Sequence, residues 1–100
     1  MPRNRTSDFR DVHDVLARIR ALPGVTERAP GVFWLHRTPF MHFHTARPPR
    51  RVHVKNGRDW GAEIILPVGA TRSQRAAFVR EVRARWAACE ARRSVSSRRR

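Results

Sequence analysis

The pair Asn56-Gly57 predicts a tight β-hairpin, because a two-residue turn needs positive φ angles that asparagine and glycine tolerate best. Residues 51–55 before the pair alternate between valine and basic residues or histidine, as expected of a strand with one buried face. Residues 58–68 return as the second strand, with a bulge predicted at Gly61 and a buried part at residues 63–66. The chain is therefore organised around an antiparallel sheet.

Two more strands are predicted before this hairpin. Residues 32–36 and 40–45 are rich in strand-forming side chains. Turn residues at 29–31 precede the first of these runs, and residues 37–39 separate it from the second. Residues 47–50 form a loop, because the paired prolines there cannot donate hydrogen bonds to a strand ladder.

Helical spacing of apolar residues marks both ends of the chain. The first helix is predicted to begin at a Ser7 cap, with Asp8 and Asp11 in its first turn, and to end at Leu22-Pro23-Gly24. A second helix, capped by Thr71 or Ser73, is predicted to run to about Arg93. Their apolar stripes are Phe9, Val12, Leu16 and Ile19 in the first and Phe78, Val82, Trp86 and Cys89 in the second.

These elements predict a single α+β domain, since 100 residues leave no room for a second. It has an N-terminal helix, an antiparallel sheet of four to five strands and a C-terminal helix packed on one sheet face. The domain covers residues 7–93, with a basic N-terminal lead at 1–6 and a flexible basic tail at 94–100.

No apolar run approaches the roughly 20 residues of a membrane span, and the start of the chain has no signal-type apolar region. The single cysteine, Cys89, excludes an intramolecular disulfide and a cysteine-built zinc site. These features predict a cytoplasmic protein that does not associate with membranes.

The net charge of +14 is the property that points most directly to a partner. It is uneven, because residues 71–100 carry ten arginines against two glutamates and thus +8 of the total. A GC-rich genome favours arginine over lysine but does not explain why only 8 residues are acidic. Nucleic acids and other polyanions are the expected partners. The arginines expected to bind phosphates are Arg47, Arg50, Arg51, Arg72, Arg80, Arg83, Arg92 and Arg93.

The histidines suggest a second kind of site. His42 and His44 lie two residues apart on a predicted strand, so their side chains leave the same face. His53 on the neighbouring strand is the natural third ligand for zinc, nickel or iron, and His36 is the next candidate. A polar outer sheet face that binds no metal is the alternative interpretation.

The sequence carries no motif specific to an enzyme. It has no Walker-type phosphate loop and no Gly-X-Ser-X-Gly elbow. Cys89 lies on an apolar stripe and is expected to be a buried hydrophobe rather than a nucleophile. Acid–base chemistry by the histidines stays open, but a binding protein is favoured.

A face of small residues on the second helix permits close approach of a second subunit. Alanine is also a strong helix former, which is the simpler explanation of its abundance there. The residues of this alanine face are Ala76, Ala84, Ala87, Ala88 and Ala91.

The run from Leu16 to Glu27, which ends in Leu22-Pro23-Gly24-Val25-Thr26-Glu27, resembles the opening of the MmcQ/YjbR-like small bacterial proteins. The order of helix, strands and helix over residues 9–90 is similar to their layout. This resemblance implies a frataxin-like α+β arrangement and the nucleic-acid binding proposed for that family, and it transfers no catalytic residue.

Our first hypothesis from the sequence is a non-enzymatic protein that binds nucleic-acid backbones. The first alternative is a metal- or small-molecule-binding module built on His42, His44 and His53. The second is a structural or partner-binding protein that dimerises through the alanine face.

Overall fold

The computed structural model describes residues 9–98 and has the predicted α+β class. A short 3-10 turn at Arg10–Val12 leads into helix α1 (His13–Arg20), and helix α2 (Arg72–Arg98) packs on the sheet. The strands between them are β1 (Val25–Ala29), β2 (Val32–Leu35), β3 (Thr38–His44), β4 (Arg51–Asn56), β5 (Asp59–Trp60) and β6 (Ile64–Ile65). All pairings are antiparallel, in the order β1-β2-β3-β4-β5 with β6 also beside β4. The basic lead, the Ser7 cap and Asp8 lie outside the described residues.

The predicted hairpin joins β4 to β5, but its turn is shifted by one residue. Asn56 ends β4 and pairs with Asp59, so Gly57 and Arg58 form the turn. Gly57 has a φ of 73°, and a glycine at the first turn position is the requirement of a type II′ turn. The prediction that Asn56 and Gly57 are the two turn residues is therefore wrong, because only Gly57 has a positive φ.

A bulge in β3 determines which side chains face the core. Pro39 pairs with Trp34 and Met41 with Phe33, which leaves Phe40 as an extra residue. Phe40 and Met41 are consequently both buried, although they are neighbours in a strand. Beyond the bulge the ordinary alternation resumes.

The strand that returns after the hairpin has the bulge predicted at Gly61. Trp60 pairs with Lys55 and Ile64 with Val52, so residues 61–63 lie opposite only two residues of β4. The predicted buried part at 63–66 is only partly correct. Leu66 is buried, but Ile65 pairs with Arg51 on the outer face and is 58% exposed.

The hydrophobic core lies between the helices and one face of the sheet. From α1 and the turn before it come Val12, Val15, Leu16 and Ile19, and from α2 come Phe78, Val79 and Val82. The sheet contributes Phe33, Leu35, Phe40, Met41, Val52 and Val54. The helical periodicity of both segments thus identified most of the buried side, although Phe9, Trp86 and Cys89 are only half-buried.

Helix α2 begins at the Thr71 cap. Thr71 Oγ1 accepts a hydrogen bond from Gln74 N (3.1 Å), and Gln74 Oε1 accepts one from Thr71 N (2.8 Å), which is a capping box. The helix continues past the predicted end at Arg93 to Arg98, because residues 94–98 contain neither proline nor glycine to stop it. Part of the segment predicted as a flexible tail is therefore helical.

Within the part of the chain that the structure describes, no helix combines the length and hydropathy that a membrane crossing requires.

Arg50, which we predicted to bind phosphate from a loop, lies in the core with its side chain 0% exposed. Its Nε donates to Leu66 O at 2.8 Å, and its two terminal nitrogens donate to the Asp11 carboxylate at 3.0 and 2.8 Å. The prediction for Arg50 is wrong, because its guanidinium is already bound by acceptors within the protein and is closed to solvent.

Candidate metal centre

Three histidines meet on the sheet face opposite the core. His42 and His44 alternate along β3 with Met41 and Phe43, which pack towards the helices, so both imidazoles leave the outer face. His53 pairs directly with His42 across the β3–β4 ladder. The structure therefore brings together the three histidines that the sequence suggested, all of them half-buried.

The imidazole nitrogens of this cluster are within hydrogen-bond distance of one another. His44 Nε2 lies 3.1 Å from His42 Nε2 and 2.8 Å from His53 Nδ1. A neutral ring nitrogen carries either one hydrogen or one lone pair. His44 Nε2 therefore cannot form two full hydrogen bonds at once, whereas three lone pairs directed at a cation would satisfy all three rings.

Glu63 orients His53 from the outside of the cluster. Its Oε2 lies 2.9 Å from His53 Nε2 and 3.4 Å from Arg51 Nε. The bulge after β5 is what brings Glu63 beside β4. Because His53 directs Nδ1 into the cluster and Nε2 to a carboxylate, it has the arrangement of a metal ligand with an outer-shell partner.

The surroundings of His42 favour its neutral imidazole. Burial lowers the pKa of His42 below its usual value near 6.5, and the neighbouring His44 and His53 lower it further. The Trp60 ring covers one side, with its centre 5.1 Å from that of His42. Metal binding requires the neutral form of imidazole, so this environment is suited to it.

His36, the other candidate ligand, lies elsewhere. It occupies the turn between β2 and β3 with a φ of 55°, and its Nε2 lies 3.0 Å from Glu90 Oε1 on α2. It is therefore not part of the cluster.

The predicted phosphate-binding arginines do not converge on one surface. Arg51 lies beside Glu63, and Arg47 is exposed in the β3–β4 loop. On α2, Arg83 and Arg92 are nine positions apart, which places them about 180° apart around the helix. Arg72, Arg80 and Arg93 are also exposed. Apart from Arg50, these residues are available to solvent but form no single binding surface.

The alanine face is accessible on α2. Ala84, Ala87 and Ala91 are exposed, and Ala76 and Ala88 are half-buried. Dimerisation through this face stays a prediction.

The chain matches no protein-family model, and neither a curated protein nor a solved structure is significantly similar to it. The resemblance to the MmcQ/YjbR-like proteins accordingly stays a prediction, and the chemistry of the site must be argued from its own residues.

Two neighbours of the cluster had no role assigned from the sequence. The sequence has two acids on the strand that returns beside the histidines, Asp59 and Glu63, and Trp60 is one of several aromatics in or beside the strands. The signal that could have identified both is the register of the β4–β5 hairpin combined with the bulge at Gly61, which puts Trp60 and Glu63 on either side of the bulge.

Proposed function

We propose that the protein binds a divalent transition-metal ion through His42, His44 and His53. The observation that carries the proposal is the position of His44 Nε2, 3.1 Å from His42 Nε2 and 2.8 Å from His53 Nδ1. Three imidazoles from two neighbouring strands supply the ligands, and Glu63 holds the tautomer of His53.

The distances from His44 Nε2 to the other two ligand nitrogens are close to those in a tetrahedral zinc site. Zinc–nitrogen bonds of about 2.0–2.1 Å place two nitrogen ligands about 3.3–3.4 Å apart. The two nitrogen pairs that include His44 Nε2, at 3.1 and 2.8 Å, would need to separate by roughly half an ångström. A water molecule would complete the coordination, as in zinc sites that keep an exchangeable position.

The donor set favours one class of metal. Imidazole nitrogens suit zinc, copper, nickel and cobalt, whereas magnesium and calcium prefer oxygen ligands. We therefore expect zinc or its divalent neighbours to bind and magnesium and calcium not to compete.

The test is a titration of tag-free protein, stripped with EDTA and dialysed, with Co²⁺ followed by Zn²⁺. We expect the visible absorption of tetrahedral Co²⁺ to saturate at one equivalent and one equivalent of Zn²⁺ to abolish it. His44→Ala should lose this binding, because His44 contacts both other rings.

The matched control is His13→Ala. His13 lies on α1, exposed, with its Nδ1 3.3 Å from Arg10 O. Circular dichroism checks that both variants fold. If His44→Ala binds as tightly as His13→Ala, the proposed site is wrong.

A second candidate function is binding of nucleic acid or another polyanion, as the sequence predicted. The observation that favours it is the exposure of Arg47, Arg72, Arg80, Arg83, Arg92 and Arg93 in a chain of net charge +14. Because these residues point in several directions, we expect contacts with backbone phosphates and little sequence preference.

This candidate is tested by titrating duplex and single-stranded oligonucleotides at two salt concentrations. We expect micromolar affinity that falls steeply with salt. Arg80→Gln with Arg83→Gln should reduce the slope of log K against log salt by about 2 if both bind phosphates. Absence of binding at low salt would end this candidate.

We also infer a cytoplasmic location, which the free thiol of Cys89 supports, since such thiols persist in reducing compartments. Fractionation of cells that express the untagged protein would test it.

A further inference from the structure

A groove separate from the histidine cluster lies between α2 and one end of the sheet. Its volume is about 590 Å³, which is within the range of small-molecule sites. The start of β3, the β4–β5 turn and the C-terminal half of α2 form its walls.

The groove has an apolar side. The exposed Pro39 contributes its accessible surface from β3, backed by Leu35 and Phe40, which are 5% and 0% exposed. Cys89 faces them from α2, and its Sγ lies 3.4 Å from Gly57 O, which joins the helix to the β4–β5 turn. An aliphatic or aromatic group of a ligand would lose contact with water against these residues.

The remainder of the groove is strongly cationic. Lys55 and Arg58 line it from the hairpin, and Arg92 and Arg93 line it from α2. None of the acidic residues between positions 9 and 98 lines it. Four cations around one concavity repel one another and create a positive potential that an anion would neutralise.

The described carboxylates leave these cations largely uncompensated. None of them lies within 4.0 Å of Lys55, Arg58 or Arg92. Glu90 lies 4.0 Å from Arg93 Nε, but its carboxylate is also 3.0 Å from His36 Nε2. Lys55 contacts the Trp60 ring at 5.1 Å, which leaves its charge unneutralised.

We infer that this groove binds a small amphiphilic anion, a molecule with a carboxylate or phosphate head and an apolar body. The head would contact Arg92, Arg93 and the hairpin cations, and the body would lie against Pro39 and Cys89. Arginine suits this role because its planar donors match carboxylate and phosphate oxygens. The inference is independent of metal binding at the histidines, which lie on the outer face of the sheet.

The test is isothermal titration calorimetry in the presence of EDTA with four probes: octanoate, octyl phosphate, 1-octanol and inorganic phosphate. We expect both octyl anions to bind with one-to-one stoichiometry and at least tenfold more tightly than 1-octanol or inorganic phosphate. Comparison of octanoate with octyl phosphate shows which head group is preferred. Binding of inorganic phosphate as tight as that of octyl phosphate would overturn the inference, because the apolar side would then contribute nothing.

Two charge-matched variants separate the groove from the bulk charge. Arg92→Gln with Arg93→Gln removes two groove cations, whereas Arg18→Gln with Arg28→Gln removes two exposed arginines of α1 and β1 that do not line the groove. We expect at least a tenfold loss of octyl phosphate affinity in the first and less than a twofold change in the second. Equal losses of affinity in the two variants would mean that the ligand is attracted by the net charge of the protein, and this result would overturn the site.

Cys89 provides a local readout, because it is the only cysteine in the chain and lines the groove. Saturating octyl phosphate should slow alkylation of Cys89 by N-ethylmaleimide in the wild-type protein and in the Arg18/Arg28 variant. An unchanged alkylation rate in a protein that calorimetry shows to be saturated would place the ligand elsewhere and overturn the inference.

Discussion

Replacing Asp11 with asparagine should remove a large part of the stability of the fold. The variant leaves Arg50 buried and charged without its carboxylate, and breaking such a pair costs about 3–5 kcal/mol. Asp11 is 27% exposed and asparagine can still accept a hydrogen bond from Arg50. We therefore expect a loss of stability at the low end of this range, about 3 kcal/mol. Since 100 residues give a domain stability of about 5–15 kcal/mol, this loss is substantial.

The same ion pair produces a pH dependence. The hydrogen bond from Arg50 is the largest influence on Asp11 and lowers its pKa, against the opposing effect of burial. Because the folded pKa lies below the unfolded value near 3.8, the contribution is complete above that value. It is lost as the pH falls through the folded pKa. The stability difference between the wild type and Asp11→Asn should therefore shrink below about pH 4.

Urea unfolding at pH 7 and pH 3, followed by circular dichroism in EDTA, measures both effects. The control is Asp14→Asn, since Asp14 on α1 is 44% exposed and pairs with Arg75 on α2 at 3.1 Å. Exposed pairs contribute about 0–1 kcal/mol. Equal losses in the two variants at pH 7 would refute the reasoning that Arg50 depends on Asp11.

Three further predictions concern the outer sheet face and α2. Glu63→Gln should weaken Zn²⁺ binding about 10–100-fold in a competition titration, because the carboxylate beside His53 Nε2 is lost; an unchanged affinity would contradict its orienting role. In metal-free protein, His42→Gln should reduce the loss of stability between pH 7 and pH 5. The lowered pKa of His42 makes its contribution complete above about 6.5 and lost as the pH falls through the folded value; parallel pH profiles for the variant and the wild type would argue against this. If the alanine face forms a dimer, light scattering should give a dimeric mass for the wild type and a monomeric mass for Ala84→Glu, and a monomeric wild type would exclude that dimer.

The sequence predicted the elements whose signals are local. The stripes of α1 and α2, a cap at Thr71 or Ser73, the β4–β5 hairpin and the bulge at Gly61 each depend on residues a few positions apart. The shared face of His42 and His44 follows from the strand period alone. That His53 lies directly opposite His42 depends on the register between β3 and β4, which the sequence does not encode locally.

Arg50 shows why the other features of the structure could not be predicted from the sequence. Its neighbours Arg47, Pro48 and Pro49 are typical of an exposed loop, and its burial depends on Asp11 and on the carbonyls of Leu66 and Pro67. These partners are distant in sequence, so no local pattern reveals them. Arg85 is a second example, buried on α2 with Nη1 donating to Val54 O at 3.1 Å.

The positions of the acidic residues distinguish arginines that form ion pairs within the fold from arginines that are available to bind a partner. Each of the acids Asp11, Asp14, Glu27, Glu63, Glu81 and Glu90 has an arginine within 4.0 Å. Among residues 9–98 only Asp59 does not. Genome composition explains why a cation is arginine rather than lysine, but it does not determine where the acids lie in the folded chain. The basic residues behind the net charge of +14 therefore form two groups. Some are arginines that pair with acids within the fold, and the others are cations that no described acid neutralises. Among the latter, Lys55, Arg58 and Arg92 of the groove combine charge with a concave apolar wall, which is what binding a small molecule requires and what the open surface of α2 lacks.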